Sequence, residues 1–267
     1  MSRIKTCFSQ LKQNKRTALI PYVTAGDPDP SVTVPLMHAM VDAGADLLEL
    51  GVPFSDPMAD GPVIQAASER ALQHHVGLHN VIDMVSEFRQ QDKETPVVLM
   101  GYLNPIEVMG YDVFASSAAA AGVDGVLTVD IPPEESSDLI HSLHNNGLDP
   151  IFLVSPTSTA ERIKTICASA SGFVYYVSLK GVTGAANLDI TSVIEKIEQI
   201  RGFTELPIGV GFGISDAESA AKVSVCADAV VVGSAIIKRL AANVGNVGKM
   251  TEEVTGLLQS MRKAMDS

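Results

Sequence analysis

From residue 17 onward the chain repeats one pattern, a short apolar β-rich run followed by a longer helical stretch, and the count of such units reaches eight. The strand runs are Ala18 to Thr24, Asp46 to Gly51, Val97 to Tyr102, Gly125 to Asp130, Pro150 to Ser155, Phe173 to Ser178, Ile208 to Gly211 and Ala229 to Gly233. Helical spacing fills the gaps, for example Ser31 to Ala43, Val63 to His74, Pro133 to Asn145 and Ile190 to Arg201. Strand and helix alternating eight times is the signature of a parallel (β/α)8 TIM barrel, and 267 residues suit such a barrel as a single domain over 1–267. The first 16 residues read as an extra N-terminal helix closing the barrel floor, and Val247 to Met265 as the last outer helix.

A short echo supports the repeat. Ala43-Gly-Ala-Asp46 and Ala121-Gly-Val-Asp124 each end a helix with Gly and open a strand with Asp, and Cys226-Ala-Asp228 is a degenerate third copy. Gly just past a helix adopts the left-handed cap conformation without steric cost, so the echo marks equivalent turns. Two strand-to-helix loops are long, Val52 to Gly61 after the second strand and about Leu179 to Leu188 after the sixth. Connections of this kind usually run about 2–6 residues and longer ones are mostly functional. Both belong to the C-terminal face, where barrel active sites are built.

The second strand drives a carboxylate into the sheet. A side-chain period of two puts Leu47 and Glu49 on one face and Leu48 and Leu50 on the other. Burial favours the neutral acid and raises its pKa, which suits a group that both gives and takes a proton near neutrality. The other carboxylates at this end are Asp56 and Asp60 in the loop and Asp130 closing strand four. On pattern alone Glu49 also reads as a hydrogen-bonded structural acid, and Asp60, standing before Gly61, reads equally as turn chemistry.

Other chemistries find little footing. No Lys or Arg lies in any strand run, which removes the usual seat of a Schiff-base lysine; Lys180, in a loop, comes nearest. All six histidines fall in helical stretches or their turns, and Cys7, Cys167 and Cys226 form no C-x-x-C pair. Neither a metal site nor a disulfide framework is expected. The formal charge of −12 argues against nucleic acid and anionic membrane as partners. No apolar run approaches the roughly 18 residues of a membrane span, and the N-terminus lacks a secretory pattern, so a cytoplasmic protein is expected.

Against that negative field, three glycine turns offer backbone donors to an anion: Gly181-Val-Thr-Gly184, Gly211-Phe-Gly213 and Gly233-Ser234, the last opening the helix-like Ala235 to Leu240. Phosphate sites of barrels use the loops after strands seven and eight and a short helix N-terminus. Each turn by itself is also plain turn geometry. Tyr22, Met100, Tyr102, Leu127, Val129, Leu153, Tyr175 and Phe212 gather near strand ends; each reads as barrel core, and together they could line a flat apolar pocket.

The stretch Leu48-Glu-Leu-Gly-Val-Pro-Phe-Ser-Asp-Pro-Met-Ala-Asp-Gly-Pro62 closely resembles the signature of the tryptophan synthase alpha chain family. Gly101-Tyr-Leu-Asn-Pro105, Gly181-Val-Thr-Gly184 and Gly211-Phe-Gly-Ile214 stand where other blocks of that family stand, and the resemblance runs nearly end to end. It implies a lyase that cleaves indole-3-glycerol phosphate to indole and D-glyceraldehyde 3-phosphate, with no cofactor of its own. It also implies a pyridoxal-phosphate-dependent beta chain as partner in an α2β2 heterotetramer.

The resemblance further implies that Glu49 shuttles the proton at indole C3 and the glycerol hydroxyl while Asp60 accepts the indole N–H. Thr183 would bond Asp60 when the sixth loop closes, and Gly184, Gly213, Gly233 and Ser234 would hold phosphate. Tyr22, Met100, Leu127, Val129, Tyr175 and Phe212 match pocket positions, with Tyr22 standing where a Phe is frequent. Asp56 and Asn104 correspond to surface facing the beta chain, and Leu179 falls where some members carry Arg. Two rivals accompany this reading: a regulatory subunit that mainly activates the beta chain, and a different phosphate-binding barrel enzyme. The second would be expected to place a lysine or cysteine at a strand end, and none is there.

Overall fold

A computed structural model describes residues 2–178, 190–211 and 213–267. Eight parallel strands close into a barrel in chain order, β8 pairing back onto β1. They are β1 (Ala18–Thr24), β2 (Leu48–Gly51), β3 (Val97–Gly101), β4 (Gly125–Thr128), β5 (Asp149–Val154), β6 (Val174–Val177), β7 (Ile208–Gly211) and β8 (Ala229–Val232). The (β/α)8 expectation holds, with β1 and β7 beginning and ending where the sequence placed them.

Each strand divides the core in two. Leu48 and Leu50 enter the layer between sheet and helices. Leu47 enters the barrel interior with Ile20, Val98, Leu127, Ile151, Phe173 and Val231, as the period of two requires. The N-terminal helix Arg3–Gln13 plugs the floor of that interior, burying Ile4, Phe8 and Leu11, with the Phe8 and Phe173 rings 5.8 Å apart.

The Gly-x-Asp echo is more than a turn marker. Asp46 accepts from the Leu19 N–H at 2.8 Å, Asp124 from Val97 N–H at 2.9 Å and Asp228 from Ile208 N–H at 2.8 Å. Each carboxylate thus crosses to the strand before its own, and each also meets an arginine: Arg262 at 3.1 Å, Arg89 at 2.8 Å and Arg201 at 2.9 Å. Asp124 holds a second, Arg3, which ties the N-terminal helix to the floor. The glycines supply the approach, Gly44 and Gly122 having φ of +102° and +92°. This explains why β2 starts at Leu48 and not at Asp46, whose side chain is committed to β1 and Arg262.

Two further corrections concern the mouth. A helix over Leu103–Met109 is absent from the helical stretches that the sequence pattern marks. It forms because Pro is tolerated in a first helical turn and because Asp130 accepts the Leu103 N–H at 2.8 Å. Asp130 is exposed and serves that end, so it leaves the list of catalytic acids; β3 and β4 stop at Gly101 and Thr128 in consequence. The expected helix Pro133 to Asn145 is broken at Ser136, whose hydroxyl donates to Pro133 O, leaving a 3-10 turn Pro133–Glu135 and a helix Ser137–Asn145.

Replacing Asp124 by Ala strands a buried guanidinium, since the Asp124 and Arg89 side chains are only 4% and 9% exposed. Urea denaturation should register a loss of about 3–5 kcal/mol. Asp228→Ala, whose Arg201 pair is largely in solvent, should lose about 1 kcal/mol. Equal losses would contradict this account of the floor.

Candidate active site

Strand β2 ends at Gly51 and the loop 52–61 leads to the helix Pro62–Gln73. Glu49 is the last side chain but one of β2 and is 2% exposed. Its strand partners are Tyr22 on β1 and Val98 on β3. Neither carboxylate oxygen has a hydrogen-bond partner among the described residues. Burial alone pushes the Glu49 carboxyl up to about 8, so it is neutral in acid and divides between forms near neutrality.

Every other buried acid in the described residues has its cation or donor. Asp27, 2% exposed, takes both Arg70 nitrogens at 2.6 and 2.9 Å, and Asp46 and Asp124 hold their arginines. Glu49 is the exception, and it sits in the barrel wall below the mouth. That asymmetry, rather than burial as such, singles it out as chemical.

Asp60 stands above it on the loop. Its Oδ2 accepts from the Tyr102 hydroxyl at 3.1 Å, and that hydroxyl in turn accepts the Ala59 N–H at 2.9 Å. Tyr102 stacks on Phe54 of the same loop, ring centroids 5.0 Å apart. Burial holds the Asp60 carboxyl above its ordinary value, and the bond from Tyr102 opposes this only in part. Gln65 donates to the Asp60 carbonyl at 2.8 Å, fixing the loop to the helix behind it. Phe54 had no sequence signal as a site residue, and Tyr102, read only as a possible pocket wall, reaches back over the β2 loop from just past β3, which neither spacing nor composition says.

Several of the apolar positions meet in the barrel interior. Leu127 and Tyr175 belong to the barrel interior, and Met100 and Val129 line it while remaining partly open. Leu153 and Val177 complete this wall; Val177 had no sequence signal beyond its inward parity. Tyr22 and Tyr175 cross their neighbouring strands at glycines: a Cβ on Gly51 would lie 2.2 Å from the Tyr22 hydroxyl, and one on Gly211 the same distance from that of Tyr175. Burial above all keeps both phenols protonated far above neutrality; the Thr24 bond opposes it for Tyr22, while Asp60 and then Glu49 add to it, and for Tyr175 Glu49 adds to it.

On the far side of the mouth, Gly213 is exposed with φ +75°, just past β7. After β8, Gly233 precedes the helix Ser234–Ala242, which has no side-chain cap, and Ser234 is exposed. An uncapped helix start facing the mouth presents N–H groups to an anion. Thr183, Gly184 and Phe212, together with Leu179, lie outside the described residues. Asp56 and Asn104 are both exposed, close to Met58 and Val108 in sequence, which are 86% and 81% exposed. No group of three or more His, Cys, Asp or Glu able to hold a metal occurs among the described residues. Nor is any helix there long and apolar enough to cross a membrane.

The model of the tryptophan synthase alpha chain family matches residues 8–266. The chain belongs to that family. It is 66% identical to the tryptophan synthase alpha chain of Thioalkalivibrio sulfidiphilus over 266 residues, 100% of both chains. It is 60% identical to that of Nitrosococcus oceani over 267 residues, all of this chain and 98% of the relative. Among solved structures it resembles tryptophan synthase subunit alpha from Legionella pneumophila str. Paris, with a TM-score of 0.93 and 47% identity over 100% of this chain and 99% of that one. A Mycobacterium tuberculosis tryptophan synthase structure matches at TM-score 0.89 and 34% identity, covering 99% and 98%. A family of alpha chains thus shares this barrel over its whole length.

The unpartnered acid carries a consequence for stability. Glu49 has a folded-state pKa of about 8 against an ordinary 4.5, so between these values the unfolded chain has released a proton that the folded chain keeps. Unfolding is then favoured as pH rises, at roughly 1.4 kcal/mol per pH unit for one group. Denaturation midpoints of Glu49→Gln relative to the parent should therefore climb from pH 5 to about 8. A difference that stays flat over that window would mean that Glu49 is ionised in the folded protein.

Proposed function

We propose that Glu49 and Asp60 are the acid/base pair of this family member. The chain is a lyase that cleaves indole-3-glycerol phosphate to indole and D-glyceraldehyde 3-phosphate in tryptophan biosynthesis, working beside a beta chain in an α2β2 assembly. The observation that carries the residue assignment is the Glu49 carboxyl: buried, without a partner and raised to about 8.

The cleavage is a retro-aldol step, and the carbon–carbon bond needs an electron sink. Protonation of indole C3 creates one, because the ring becomes an indolenine whose nitrogen carries positive charge. A neutral Glu49 supplies that proton. The resulting carboxylate takes the proton of the glycerol hydroxyl next to the scissile bond; the carbonyl forms, the bond breaks, and its electron pair returns to the ring as indole. The proton inventory closes, and Glu49 ends as it began. A pKa near neutrality is what both halves require.

Asp60 serves the ring nitrogen. Its carboxylate accepts the N–H and stabilises the charge that develops there. Its bond from Tyr102 and the Gln65 contact to its backbone hold it at the mouth. Tyr22, Met100, Leu127, Val129 and Tyr175 supply the apolar slot for the ring; by family resemblance Phe212 belongs to it and Thr183 would bond Asp60 when the sixth loop closes. Gly213, Gly233 and Ser234, with Gly184, hold the phosphate at the start of the helix Ser234–Ala242, where N–H groups and the helix dipole favour an anion. Exposed Asp56 and Asn104, with Met58 and Val108, form the surface offered to the beta chain, since large apolar side chains so exposed mark an interaction face. Cytoplasmic location fits unpaired thiols, Cys7, Cys167 and Cys226 all being free.

Glu49→Gln removes the titrating proton and almost no volume. Indole release should fall by at least about 10²-fold while binding of a non-cleavable substrate analogue is kept; near-normal turnover would remove Glu49 from the mechanism. Adding a saturating beta chain should raise the rate of the parent. If the chain alone and the complex both fail to release indole, yet the beta chain's own reaction quickens, the regulatory reading takes its place.

A further inference from the structure

The Glu49 carboxylate that forms during the reaction needs a hydrogen-bond donor, and the structure places one group to serve. Tyr22 is the strand partner of Glu49, and Thr24 that of Gly51. Tyr22 is 7% exposed and Thr24 1%. The Tyr22 ring leans across β2, its hydroxyl lying where a Cβ of Gly51 would be. Gly51 is two residues on from Glu49, hence the next inward position up the same column, about 6.6 Å nearer the mouth. There the hydroxyl contacts Thr24 Oγ1 at 3.2 Å, and either oxygen can be the donor.

We propose that Tyr22 and Thr24 form a reversible hydroxyl relay that stabilises the Glu49 carboxylate, making Tyr22 a positioning residue for the acid/base cycle. With Glu49 neutral, the two hydroxyls satisfy each other. When Glu49 gives up its proton, the chain orders itself as Thr24 O–H to Tyr22 oxygen and Tyr22 O–H to carboxylate. Within the relay no proton changes owner and no strand moves; the Glu49 side chain, which has no partner among the described residues while neutral, turns up its column toward the Tyr22 hydroxyl, and the two hydroxyl rotors change direction.

The surroundings favour this choice of donor. The titratable groups that bear on Tyr22 are Asp60 from the loop 52–61, Glu49 itself and Tyr102 at the end of β3; Tyr175 on β6 also faces Glu49. No cation is among them, so the phenol is under no pull to ionise and remains a donor across the working range. Tyr175 lies against Gly211 on β7 and also bears on Glu49, but Tyr22 is the residue directly beside Glu49 in the strand register. Among the described residues the Glu49 oxygens have no competing donor.

The inference rests on Glu49 as the proton carrier, but its test does not need turnover. Carbon-13 NMR of protein labelled at the glutamate carboxyls would follow the titration of Glu49, assigned by the signal missing in Glu49→Gln. Tyr22→Phe removes one oxygen and keeps the ring, and the Glu49 midpoint should rise by about one pH unit. Thr24→Val should raise it by less, because the first donor remains. The alkaline limb of kcat/KM in Tyr22→Phe, which reports loss of the neutral Glu49, should move by the same amount and in the same direction as the NMR midpoint. An unchanged or lowered midpoint in Tyr22→Phe overturns the relay; should that variant not fold, Thr24→Val decides by the same sign. An active Glu49→Gln would instead sink the catalytic reading while leaving the titration result to stand or fall by itself.

Discussion

The register of β2 against its neighbours is the constraint on which the site depends. Leu48 and Leu50 must face the helices and Leu47 and Glu49 the barrel interior, and a slip of one residue would exchange the sets. Tyr22 opposite Glu49 and Gly51 opposite Met100 fix that register from both sides. A closed barrel makes it stricter, because every pairing constrains the next until β8 returns to β1. The cost of an unpartnered acid is thereby spread over a structure that has no edge at which to relax.

Charge is organised along the barrel axis. At the floor, Asp46, Asp124 and Asp228 each bind a neighbouring strand's N–H and an arginine, so burial there is compensated. Toward the mouth, Glu49 has no partner and Asp60 has a phenol. Compensated acids at one end hold the register; uncompensated ones at the other can change protonation. This is the division expected of barrels, with stability at the N-terminal face and chemistry at the C-terminal one. The same sequence unit, Gly-x-Asp, thus does its work far from the reaction.

Much of this was legible in the sequence for a physical reason. Period-two alternation placed Glu49 on the face of Leu47, opposite Leu48 and Leu50, without any family resemblance, and eight apolar runs pointed to the barrel. What stayed hidden depended on contacts between distant segments. The echo showed the Asp of Ala43-Gly-Ala-Asp46 but not Arg262, which lies 216 residues away in the chain. Asp130 looked like a mouth acid because it closes an apolar run, and only the Leu103 N–H reveals it as a helix cap. Asp60, ambiguous beside Gly61, draws its side-chain place from Tyr102, 42 residues on and outside any local window.

A chain with a formal charge of −12 that must gather a phosphorylated substrate has no long-range field to help it. Its attraction has to be local, within a Debye length of about 8 Å, and the uncapped start of the helix Ser234–Ala242 beside Gly233 is suited to that because N–H groups add no net charge. A lysine or arginine near the mouth would bind phosphate more strongly, but it would also pull the Glu49 carboxyl down from about 8. In the proposed mechanism, backbone donors leave that proton on Glu49. The absence of cations from the strand runs and the raised acid in β2 are therefore two sides of one electrostatic solution.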